Sequence, residues 1–145
     1  MKPTKPKYKN CFNRLDYLLN ELLADLDEDG EATMRKRLRE RYHPVEQMEE
    51  VFIDCLALLE WRLQGCGIIQ SGALQEGGLC VRPEIVRDIL QPEVLANLND
   101  FVAMLTGQAD QCREILDRYD EFRKNVAAEA TARLRKIKPC TSVIQ

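Results

Sequence analysis

The residue types that could do chemistry fall into three groups. Asp25, Asp27 and Asp29 alternate ahead of Gly30. Carboxylates at alternate positions let a tight turn wrap a hard cation with oxygen ligands, and glycine permits the turn. Arg37 and His43 stand five residues apart within a basic run. His43 is the single histidine, so any acid-base work by imidazole rests on it alone. Six cysteines complete the set: Cys11, Cys55, Cys66, Cys80, Cys112 and Cys140. None forms a CxxC pair. Cys55 and Cys112 fall on apolar helix stripes, where a free thiol behaves as a small hydrophobe, so the cysteines are read as reduced.

The acidic stretch Asp25-Leu26-Asp27-Glu28-Asp29-Gly30 resembles the opening half of an EF-hand calcium loop. That resemblance implies metal ligation by Asp25, Asp27 and Asp29. The second half departs from the pattern: the twelfth position, where the loop needs a bidentate glutamate, is Lys36. An acidic turn between helices, with Asp29 or Thr33 capping the second, explains the same residues. The Arg37 and His43 pair, on a helical chain, resembles the HEPN ribonucleases. The resemblance implies attack on a phosphodiester in a cleft between two protomers. Leu38 stands where that family commonly has a polar residue after the arginine.

Arg35, Lys36, Arg37, Arg39 and Arg41, with the lysine arm Lys2, Lys5, Lys7 and Lys9, form a further, purely basic constellation. Such a surface can neutralise phosphates of a nucleic acid. Pairing between the basic helix and the neighbouring acidic turn accounts for both without an outside partner. The net charge of −3 over 145 residues opposes a whole-surface attraction to nucleic acid or anionic membrane. No glycine pattern suits a phosphate cradle, and no serine sits in a nucleophile motif. Glu49, Glu50, Asp54 and Glu60 lack the histidines of a di-iron bundle and read as solvated flanks. The sequence calls for no cofactor.

The elements that must position these residues are helices. Phe12, Leu15, Leu18, Leu19, Leu22, Leu23 and Leu26 recur at three- and four-residue steps, a helix from Cys11 to the acidic turn. A second helix is expected over 31–42, ended by His43-Pro44. A third, 44–64, is apolar on several sides and belongs at the centre. The five glycines of 65–82 predict a loop. Pro83 starts a short helix and Pro92 the last and longest, to about Lys138. No stretch is long and apolar enough for a membrane span, and nothing at the start reads as a signal peptide, so a cytoplasmic protein is expected.

The predicted fold is all-α: an irregular bundle of four to five helices over 11–138, a flexible basic arm at 1–10 and a flexible tail at 139–145. The third and last helices form its antiparallel core pair. The last helix spans roughly 70 Å at about 1.5 Å per residue, too long for so small a bundle. Either it bends at Gly107, or its end projects and pairs with another chain. Leu116, Tyr119, Phe122, Val126 and Leu134 are the candidate partner-binding residues. The function expected is that of a non-enzymatic interaction protein (an adaptor, regulator or chaperone-like factor), with a homodimer through the long helix as the preferred assembly.

Overall fold

Apolar residues on several sides of one helix require neighbours on several sides, and α3 (Gln47–Gln70) has them. The computed structural model describes the backbone of residues 7–143 and the side chains of residues 12–136. It is all-α, with six helices and no strand among the described residues. Around α3 lie α1 (Lys7–Leu26), α2 (Gly30–Tyr42), the single turn α4 (Ala73–Glu76) and α6 (Pro92–Val143), and α5 (Pro83–Ile89) packs on α1 and α6. The count exceeds the expected four to five because α4, bounded by left-handed Gly72 and Gly77, forms inside the predicted loop.

Two buried clusters divide the interior. The first joins Leu15, Leu18, Leu19 and Leu22 of α1 with Ile85 and Ile89 of α5 and Leu98, Phe101 and Leu105 of α6. The second joins Met34, Leu38 and Tyr42 of α2 with Ile53, Leu56 and Ala57 of α3 and Ala109 and Leu116 of α6. Phe12 meets Phe101 edge-on, with ring centroids 5.4 Å apart. Helix α6 serves both clusters, and α3 and α6 share the largest interface. They run antiparallel, as Gln70 bonds Asn99, Glu60 pairs with Arg113 and Glu49 with Arg123.

Several boundaries differ from the sequence expectation. Helix α1 starts at Lys7, so the last part of the expected arm is helical; residues 1–6 lie outside the described residues. Helix α3 begins after Glu46, not at Pro44. His43 closes α2 in the left-handed region (φ 49°, ψ 62°), and Glu49 then reaches back to accept the N–H groups of Val45 and Glu46.

Helix α3 also continues through Gly65 and Gly67 to Gln70, where a loop was predicted. Gly65 is buried at the crossing of α1 and α3. A Cβ there would stand 2.9 Å from Leu19 Cδ2, so the glycine lets two helices approach. Helix α6 is unbroken at Gly107 and reaches Val143, past the expected end at Lys138, so residues 139–143 of the predicted tail are helical; residues 144–145 lie outside the described residues. No helix among the described residues is long and apolar enough to cross a membrane.

Candidate functional site

The pairing of α3 with α6 leaves an open apolar groove along one side. Near the middle, Phe52, Cys55 and Leu59 of α3 face Cys112 and Ile115 of α6 around a depression of about 360 Å³. Toward the start of α3 it widens to about 560 Å³, lined by Glu46, Ile115, Arg118, Tyr119 and Phe122. Ile115 lines both parts, so the groove is continuous. Val45, Met48 and Val51 stand exposed at the same end.

Beyond this point α6 leaves the bundle. Its last buried residue is Leu116, and every residue from Lys124 to Lys136 is exposed. The 52-residue helix is about 78 Å long at about 1.5 Å per residue. Phe122 is 66% exposed, Val126 49% and Leu134 67%, an oily ridge carried outward from the groove. Isolated apolar residues on a surface are ordinary; a ridge continuous with a groove is a candidate contact surface.

An ion pair fixes where the helix departs. Arg123 bonds the carboxylate of Glu49 and donates a further hydrogen bond to the Tyr42 carbonyl at 3.2 Å. Glu49 is fully buried. Burial alone pushes its carboxyl up, but the Arg123 guanidinium and the N–H groups of Glu46 and Val45 outweigh that and hold it below its ordinary value. Farther along, Arg113 bridges Glu60 and Asp110, each at 2.8 Å.

The sequence candidates distribute unevenly over this site. Tyr119 and Phe122 line the groove and Val126 and Leu134 lie on the projecting segment. Leu116 is corrected: it is 1% exposed, packed in the second cluster and unavailable to a partner. Ile115, Phe52, Cys55 and Cys112, which complete the groove, were not singled out as partner-binding. They belong to continuous apolar stripes of α3 and α6, and nothing in the sequence separates them from core residues.

The other constellations are dispersed. Asp25 lies on α1 and receives the Arg82 backbone N–H at 3.1 Å and its guanidinium Nε at 3.0 Å, which hold its carboxyl below the ordinary range. Asp27 accepts the Asp29 N–H at 3.0 Å; Asp29 stands at the α2 N-cap without a side-chain cap, and Thr33 donates to its carbonyl. Among the described residues no group of three or more His, Cys, Asp or Glu side chains is placed to hold a metal ion.

On α2, Arg35 pairs with Glu31 and Asp54, and Arg39 with Glu50 and Asp54. Two of the basic residues are thus answered by α3 and by Glu31 of their own helix, not by the acidic turn, and Glu50 and Asp54 are not free flanks. Lys36, Arg37 and Arg41 are exposed, with the Arg41 guanidinium 5.2 Å from the Tyr42 ring centroid. His43 is exposed too, and neither it nor Arg37 lines the groove. Lys2 and Lys5 lie outside the described residues, as do the side chains of Lys7 and Lys9. Cys55, Cys66, Cys80 and Cys112 are free thiols. Comparison with protein families, with curated proteins and with solved structures found no match to this chain.

Proposed function

We propose that this chain is a non-enzymatic, cytoplasmic interaction protein, a small adaptor, regulator or chaperone-like factor. It acts through the α3–α6 groove and the projecting end of α6, and a homodimer through the long helix is the assembly we favour. One observation carries the reading. From Lys124 to Lys136 the helix has no bundle to pack on, yet it keeps Val126 and Leu134 exposed on the four-residue row that runs on from Phe122. Helical stability in proteins comes mainly from packing an apolar face, so this segment is built to be covered.

The test is light scattering together with recovery of stoichiometric partners from the native cell. The expected result is a stable dimer or a one-to-one complex that Phe122→Asp combined with Val126→Asp disperses. A clean monomer with no recovered partner would overturn the reading. A nucleic-acid-binding regulator is the second reading, and it draws on the exposure of Lys36, Arg37 and Arg41. Its mark would be affinity falling steeply with salt and lost when these three become glutamate.

A further inference from the structure

Helix α6 changes charge where it leaves the bundle. Residues 110–121 carry five acids (Asp110, Glu114, Asp117, Asp120, Glu121) against two arginines. Residues 123–136 carry five bases (Arg123, Lys124, Arg133, Arg135, Lys136) against Glu129. The acidic half is the stretch whose Ile115 and Tyr119 line the groove, and the basic half is the projecting arm. The acids themselves lie outside the lining, and Asp110, Glu114 and Asp120 pair with Arg113, Arg118 and Lys124, which leaves the acidic stretch its net negative charge. The two are matched in length as well: residues 124–136 and residues 111–123 each make about 20 Å of helix.

We infer that the groove's occupant is the arm of a second copy of this chain, exchanged reciprocally in an antiparallel dimer whose two-fold axis passes near residues 123 and 124. This rests on the partner-binding reading of the same surface. In this register the basic arm of each protomer lies along the acidic stretch of the other. Packed helices run about 8–10 Å apart, so facing charges lie within the Debye length of about 10 Å at 0.1 M salt. A parallel pairing would instead set acid beside acid and base beside base, which opposes association.

The apolar residues agree with the same register. Val126 and Ala130 of one arm fall beside the stretch of its partner that holds Ile115, Tyr119 and Phe122. Arg118 comes opposite Glu129. Ala127, Ala128, Ala130 and Ala132 keep the arm slender enough to enter the groove. The two bundles remain at opposite ends, because each protomer has only its arm at the other's groove. The contact is isologous, so it closes as a dimer and does not polymerise.

The experiment uses the full chain carrying the photo-crosslinking substitution Ala130→p-benzoylphenylalanine, with light scattering over a concentration series. A covalent dimer whose cross-links map to residues 115–119 is the expected result. Cross-links mapping to residues 126–134 would show a parallel pair and overturn it. Arg133→Glu combined with Arg135→Glu and Lys136→Glu should weaken the dimer about tenfold while leaving the helical content and melting temperature of the bundle unchanged, since these side chains touch nothing in it. An undiminished dimer would remove the charge argument and overturn the register. If the chain stays monomeric but holds another protein through Phe122 and Val126, this inference falls and the proposed function stands. If it is monomeric and holds nothing, both fall.

Discussion

Replacing Arg123 with alanine should destabilise the fold by about 2–3 kcal/mol near pH 7, and the loss should shrink on acidification. The substitution strips the cation from a carboxylate that is 0% exposed. Glu49 would keep only two N–H donors, at 3.4 and 3.3 Å, both long for hydrogen bonds, while its second oxygen already lacks a partner. Breaking a buried pair from one side costs about 3–5 kcal/mol. Two effects lower that figure. Arg123 keeps 30% of its side-chain surface in water, so part of its charge is already solvated. Glu49 can also take up a proton, and from an ordinary value of 4.5 that costs about 3.4 kcal/mol at pH 7.

The sign follows from linkage. In the unaltered protein the Glu49 value is depressed, so its stabilisation is present at neutral pH and disappears as pH falls below about 4.5 and through the folded value. In Arg123→Ala burial is unopposed by a cation and the value rises above that of the unfolded chain. The variant therefore regains stability relative to the parent as pH falls from about 7 to about 5. Urea unfolding followed by circular dichroism at both pH values measures this. Glu49→Gln closes a double-mutant cycle, in whose background Arg123→Ala should cost less than about 1 kcal/mol. A penalty equal at the two pH values, or unchanged beside glutamine, would refute the account of Arg123 as the counter-ion that anchors α6.

Three further outcomes are expected. Gly30→Ala brings a Cβ to 2.1 Å from the Trp61 ring and should cost about 1–3 kcal/mol, whereas Gly107→Ala meets nothing within 4 Å and should gain about 0.5–1 kcal/mol; thermal melts compare them. His43→Gly relieves a left-handed residue and should raise stability by about 0.5–1 kcal/mol in the same assay, unless the histidine side chain holds something there. Burial, with Asp16 nearby, pushes the Cys66 thiol up to about 12. Alkylation mapped by mass spectrometry should therefore label exposed Cys80 first and reach Cys66 only on unfolding.

The apolar spacing made most of the helices legible, because a stripe such as Leu15, Leu18, Leu19, Leu22 and Leu23 reports its own geometry. It also made the antiparallel pairing of α3 and α6 legible, since those were the two longest apolar elements. Gly65 misled for a physical reason. Glycine weakens a helix by its own preference, and only the unseen neighbour, α1, makes a missing side chain an advantage. The groove was half legible. Phe122, Val126 and Leu134 stood out because they depart from the core register, but Ile115 and Phe52 belong to continuous stripes, and only packing decides which edge of a stripe stays open. Leu116 belongs to the seam that precedes the register change, and it packs in the second cluster.

Charge was the least legible property, and it bears most on function. The acids of α3 looked like a wet face because their partners lie outside α3: Glu49 with Arg123, Glu60 with Arg113, Glu50 with Arg39, and Asp54 with Arg35 and Arg39. Once these pairs form, two of the arginines that suggested a nucleic-acid surface are engaged inside the molecule. The arm differs: of its bases, Lys124 alone pairs within its own helix, with Asp120, and no ion pair ties Arg133, Arg135 or Lys136 among the described residues. Positive charge that the bundle does not answer, beside apolar residues that the bundle does not cover, is concentrated on one projecting stretch of helix. A partner that satisfies both must bring net negative charge together with apolar residues, and residues 110–121 of the same helix carry five acids against two arginines beside Ile115 and Tyr119, one arm's length away.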